Sequence, residues 1–170
     1  MTYTPVQTQI RQALLALFAE NLNAELQRCG QDPLPPSAFK PLPPGDVTED
    51  TVAIGYLGAI RANDNKEGLR LTRTTRDKLL GYVVEIWCFG GSDDLAQSRA
   101  EACEFALEQL LDGLSPDGSN RYLGGLVHGP ITVGDTKAFS AEDDSRAAMI
   151  WHLGIPLSCR VRTTRPEQQP

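Results

Sequence analysis

Between Met149 and Val161 every odd position is apolar: Met149, Trp151, Leu153, Ile155, Leu157, Cys159 and Val161. From His152 onward the even positions hold His152, Gly154, Pro156, Ser158, Arg160 and Arg162. Successive side chains of a strand point to opposite faces, so this run predicts one long strand with a single buried face. Such a face must be covered by other elements, which limits the chain to layered folds. Pro156 cannot donate to a ladder, so the strand is expected to bend there or to lie at an edge.

Two helices are expected to provide that cover. Ile10, Leu14, Phe18, Leu22 and Leu26 recur every fourth residue, a helical stripe spanning about residues 5–29. Thr4 is the expected N-cap, with Pro5 at the first helical position and Gln7 completing a capping box, and Gly30 ends the helix. Ala96, Ala100, Cys103, Leu107, Leu110 and Leu114 mark a second helix from about residue 93 to 111, capped by Ser92.

Further strands are expected at residues 51–60 and 82–89. The second reads YVVEIWCF, apolar enough to predict cover on both faces. A weaker strand signal lies at 125–133, interrupted by Gly129-Pro130, and residues 134–146 read as a loop. The expected core contains Leu14, Phe18, Leu22, Val84, Ile86, Leu107, Leu110, Leu153, Leu157 and Val161. The expected class is α+β: a single domain with a mostly antiparallel or mixed sheet packed by two main helices, and an extended hairpin arm.

Two segments stand apart from this core. Residues 33–48 begin with six of the twelve prolines and read as an extended connector. It is either a stiff spacer or a strap whose Leu34, Phe39 and Leu42 anchor to a neighbouring subunit. Residues 61–80 read as a polar hairpin containing the one basic cluster of note: Arg70, Arg73, Arg76 and Lys78. It is either solvated or an interface. Residues 163–170 read as a loose tail.

The chain offers little that could do chemistry. Neither His128 nor His152 has a second ligand at metal spacing, and no phosphate-binding signature or nucleophile elbow is present. FGGSDD (89–94) puts a double glycine before a helix, as phosphate loops do. Asp93 and Asp94 would repel an anion there, so these residues read as a cap. Glu142, Asp143 and Asp144 read as a solvated acidic loop. Glu85 interrupts an apolar strand and is expected to pair with an arginine or to face a subunit boundary. No catalytic, metal or cofactor residue is expected.

The four cysteines, Cys29, Cys88, Cys103 and Cys159, form no C-x-x-C pair and read as reduced, buried small hydrophobes of a reducing cytoplasm. No apolar run reaches about 18 residues, and the first residues lack a signal-peptide layout, so no membrane partner is expected. The net charge of −6 argues against a broad grip on nucleic acid.

The order of elements resembles the tail terminator, or tail completion, proteins of long-tailed bacteriophages. A long helix is followed by a strand, an arginine-bearing hairpin, a strand reading VVEIWCFG, the helix SDDLAQSRAEACEFALEQLLDGL and late strands. The match is best over residues 82–114, and the general layout covers about 5–162. The connector and the segment 134–146 are longer here than in the shortest members. The resemblance implies a structural virion protein, assembled in the host cytoplasm, that forms a hexameric ring. Such a ring caps the tail tube, ends its elongation and offers the surface for head–tail joining. Its implied partners are further copies of itself, the tube protein and a connector or stopper protein, with genomic DNA passing through unbound. The subunit-interface candidates are Arg70, Arg73, Arg76, Lys78, Phe39 and Leu42. Another neck protein is the alternative within this class, and a small-ligand enzyme is the alternative outside it.

Overall fold

A computed structural model describes residues 4–60, 75–114, 122–144 and 147–164. Its elements are α1 (Val6–Arg28), β1 (Phe39–Pro41), β2 (Thr51–Ile60), β3 (Thr75–Gly90), α2 (Asp93–Asp112), β4 (Thr132–Val133), β5 (Lys137–Asp143) and β6 (Ala148–Thr164). The six strands form one sheet in the order β1-β2-β3-β6-β4, with β5 also paired to β6. Only the β1–β2 pair is parallel. The chain therefore has the single-domain α+β fold that its sequence predicts.

The alternating strand sits at the centre. β6 pairs with β3 without a break from Thr75↔Thr164 to Gly90↔Met149. Leu153, Ile155, Leu157, Cys159 and Val161 join Tyr82, Val84, Ile86 and Cys88 on the dry face, all nearly inaccessible. Both helices lie over this face. α1 packs toward β1 and β2, and α2 packs toward β3 and β6. The Tyr82 hydroxyl donates to the Gln7 carbonyl at 3.0 Å, tying α1 to the sheet. All ten expected core residues are buried except Leu110, which is partly exposed while Ala106 and Leu111 take the inner positions of α2.

Several expectations need correcting. Pro156 is not at an edge. Its carbonyl accepts from Gly134 N–H at 2.8 Å. Its nitrogen therefore faces the gap between β5, which ends its pairing at Gly154, and β4, which starts at Leu157, so no ladder bond is lost. β3 is not covered on both faces. Its odd residues Val83, Glu85, Trp87 and Phe89 are only half-buried, because both helices lie on the other side. At 125–133 only Thr132–Val133 is a strand, since Gly124, Gly125 and Gly129 adopt positive φ. The expected acidic loop is instead the edge strand β5, with Glu142 and Asp143 at its end. Its residues are almost all exposed, so no apolar period reveals it.

The helix start also differs. Pro5 itself occupies the N-cap position, with no side-chain cap, and Gln9 Nε2 donates to the Thr4 carbonyl at 2.6 Å in place of the capping box. The helix end is as expected. Gly30, at φ +72°, donates to Gln27 O, and Gln31 N–H reaches back to Leu26 O, which is the Schellman arrangement.

The proline segment is attached to its own chain. Leu34 and Ala38 are buried, and Asn23 clamps the Leu34 backbone through both its side-chain atoms, at 2.7 and 2.9 Å. Ser37 donates to Glu49 at 2.6 Å, and Arg99 donates to the Asp32 carbonyl. The segment then adds β1 to the upper half of β2.

Candidate functional site

The nearest approach to a catalytic group lies on the helix-free face of the sheet. Trp87 of β3 and His152 of β6 are register partners and stack with ring centroids 4.6 Å apart and planes 2° from parallel. Phe139 of β5 is the register partner of His152 on its other side, with centroids 6.1 Å apart. His152 Nε2 lies 3.4 Å from Glu85 Oε2, close enough for an ion pair but without hydrogen-bond geometry. Glu85 therefore meets a histidine rather than the expected arginine. These groups share the helix-free face of the sheet.

The remaining chemistry is equally sparse. His128 N–H donates to the Arg160 carbonyl at 2.7 Å, and its ring borders a cavity of about 250 Å³ with Leu79, Thr132 and Ser158. A second concavity, of about 330 Å³, is bordered by Glu142, Asp143 and Asp144. Neither contains the Glu85–His152 pair. Among the described residues no three His, Cys, Asp or Glu side chains converge as metal ligands. Three cysteines are buried and Cys29 is exposed, a correction to the expectation that all four are inside. Cys88 and Cys103 Sγ atoms lie 3.9 Å apart. Hydrogen bonding to Cys103 and then burial raise the Cys88 thiol far above its usual range, and burial pushes Cys159 up to about 12. A thiol held protonated is a poor nucleophile.

FGGSDD acts as a cap. Ser92 Oγ accepts from Leu95 N–H at 3.3 Å, and Asp93 accepts from the Trp151 indole at 2.8 Å. A Cβ on Gly90 would lie 2.6 Å from Ala96 N, so only glycine lets α2 start this close to β3.

The interface candidates fall in two groups. Phe39 packs on the core from β1. Leu42 lies over β2, its Cδ1 2.8 Å from where a Gly55 Cβ would stand. Both are engaged within their own chain. Arg70 and Arg73 lie outside the described residues. Arg76 and Lys78 belong to β3, opposite Thr163 and Val161 of β6, and Lys78 is exposed. Of the expected hairpin at residues 61–80, residues 61–74 lie outside the described residues, and residues 75–80 form the start of β3, where β6 and, from Leu79 on, β2 pair with it to make a three-stranded arm. Inside the arm Asp77 is buried and binds Arg162 through both carboxylate oxygens, at 2.7 and 3.1 Å.

Sequence reasoning missed the sheet edges. β5 has no strand on its outer side among the described residues, and its Phe139 is 61% exposed. On the opposite side β1 covers Val52–Ile54, so among the described residues β2 is open from Tyr56 to Ile60, with Leu57 65% exposed. A bulge between Tyr56 and Gly58 turns this stretch outward.

No protein-family model and no curated protein matches the chain. Among solved structures it is similar to a chain of the "Virion of native gene transfer agent (GTA) particle". The two share 12% identity and a TM-score of 0.35, over 84% of this chain and 93% of that one.

Proposed function

We propose that the chain is a structural virion subunit that closes head to tail into a hexameric ring on the end of a phage tail tube, as tail terminator proteins do. The observation that carries this reading is the pair of unlike free edges. β5 and the open half of β2 run in opposite directions within one sheet, so β5 of one copy and β2 of the next can continue it antiparallel. Joining two different surfaces is the contact that closes a ring. The aromatic face of Trp87, His152 and Phe139, apart from the two concavities that His128 and Asp143 border, supports a structural role over an enzymatic one. The net charge of −6 suits a channel through which DNA slides.

The arm that carries Arg76 and Lys78, with Arg70 and Arg73 in the segment beyond it, reaches the next subunit or the next ring. Arginine forks there would meet acidic surfaces and fix register. Particles made with Arg70, Arg73 and Arg76 all replaced by Glu should fail at ring assembly or tail joining while DNA packaging proceeds. Normal particles with only DNA passage impaired would put the arm in the channel instead. Particles lacking the chain should show tails of uncontrolled length or unjoined heads. A single copy per particle, or a ring of another symmetry, would overturn the hexamer.

A further inference from the structure

The large apolar side chains that the described residues leave exposed gather in three places. Tyr56, Leu57 and Ile60 lie at the open end of β2, Leu95 and Phe105 on α2, and Phe139 on β5. The last two places are neighbours, because α2 runs alongside β5. Asp93, at the start of the helix, accepts from Trp151, the register partner of Ser140. Further along, Glu104 accepts from the Thr136 hydroxyl, one residue before β5. A strand added to β5 therefore comes to lie beside this flank of α2.

The flank that borders Phe105 is acidic. Gln97, Glu101, Glu104 and Glu108 follow one another at helical spacing, which keeps them on one side of α2. Leu95 and Arg99 lie on the other side, where Arg99 holds Asp50 ahead of β2. Among the described residues no Lys, Arg or His pairs with Glu101, Glu104 or Glu108. Like charges at these spacings destabilise a helix, and the last turn of α2 has no basic residue to offset its negative end. A cationic occupant with an apolar anchor would relieve the repulsion and cover Phe105.

We infer that, in the head-to-tail ring, the arm of one copy docks on this flank of α2 of the next copy, with Lys78 between Glu101 and Glu108 and Tyr56 against Phe105. This rests on the ring reading and names the surface that the arm meets. The sides agree. Tyr56 lies against Tyr82, ring centroids 5.4 Å apart, and Tyr82 faces the helices. Lys78 alternates with the core residue Leu80, so it belongs to the same side of the arm, and it is exposed there. Where β2 of one copy continues the sheet at β5 of the next, the helices of both stand on one side. Tyr56 and Lys78 then face α2 of the next copy. Lys78 also belongs to the one basic cluster of note, so the two surfaces carry opposite charge, which fixes register. The contact joins unlike surfaces, as a closing ring requires.

Assembled particles test the docking. Glu101→Lys/Glu108→Lys should lower the fraction of joined particles about tenfold. Adding Lys78→Glu to the same chain should recover most of the loss. All three positions lie on the surface of their elements, and unchanged melting confirms folding. In a Cys29→Ser background, Tyr56→Cys/Phe105→Cys should give a ladder of linked copies under mild oxidation that ends at the hexamer. Tyr56→Cys/Leu95→Cys should stay unlinked. Normal joining in the Glu101→Lys/Glu108→Lys variant, no recovery with Lys78→Glu, or linking through position 95 instead of 105 overturns the inference. Loss of joining in the arginine variants with normal joining in the α2 variant would leave the ring standing and put the arm elsewhere. Linking through position 105 in a ladder that ends at another size would leave the docking standing and remove the hexamer.

Discussion

Asp50 joins the end of β3 to α2, and replacing it tests how the sheet is locked. It precedes β2. One oxygen accepts the Phe89 N–H from the end of β3 at 2.9 Å, and the other accepts Arg99 Nε from α2 at 3.0 Å. Arg99 in turn donates to the Asp32 carbonyl just before the proline segment. Asp50→Ala removes a charged acceptor from a backbone amide, which costs about 1.5–3 kcal/mol. The ion pair keeps some solvent contact, with side chains 12% and 20% exposed, so it is discounted to the ~0.5–1 kcal/mol of a screened pair. The two together come to about 2–4 kcal/mol. For a chain of this length that corresponds to a drop in Tm of roughly 5–15 °C. Urea unfolding should show a lower midpoint at an unchanged m-value. Asp50→Asn should lose about half as much, because its amide oxygen still accepts from Phe89. Arg99→Ala combined with Asp50→Ala should cost less than the two separate losses added together. An Asp50→Ala variant within ~0.5 kcal/mol of wild type would refute the reasoning, because a change without structural consequence stays in that range.

Leu107→Ala should cost about 2–5 kcal/mol in chemical denaturation, since Leu107 is wholly buried between α2 and the sheet. Gly90→Ala should destabilise by about 1–3 kcal/mol and alter the near-ultraviolet signal of Trp151, because the added methyl meets the backbone of Ala96 where Asp93 holds the indole. A thiol reagent near neutral pH should label Cys29 rapidly and the other three cysteines only on unfolding. The Cys159 thiol is raised from 9.0 to about 12 in the folded state, so its contribution to stability is intact below pH 9 and is lost as pH rises from 9 toward 12. In Cys159→Ala the loss of stability per pH unit in that window should be shallower, as measured by denaturation at successive pH values.

Much of the fold could be read from the sequence because its signals are local and repeated. The four-residue stripe of α1 and the two-residue stripe of β6 each place several large side chains in one phase, and the core follows from them. The edges could not be read this way. β5 buries almost nothing, so its sequence carries no period, and Ala138, Ser140 and Ala141 have little β-propensity of their own. It is a strand because β6 beside it is long enough to template it. The placement of the proline segment is hidden for the opposite reason. Its composition speaks of stiffness, while its placement depends on Asn23, Glu49 and Arg99, polar residues outside the segment. The stack of Trp87, His152 and Phe139 likewise needs the register of three strands, which no single segment encodes.

The long β3–β6 ladder has a consequence for how the chain reaches this state. Gly90 pairs with Met149 and Thr75 with Thr164, so every rung between them closes a loop of about 60–90 residues. None of that closure entropy is recovered until β6 arrives, and topologies dominated by distant pairing fold slowly. α2 can form early, but part of its seat belongs to β6. During that interval β3, with its apolar run from Tyr82 to Phe89, has an open edge on the side β6 will fill. The nascent chain is therefore most exposed to misassembly at the strand that ends up most deeply enclosed, and refolding yield should fall steeply with protein concentration.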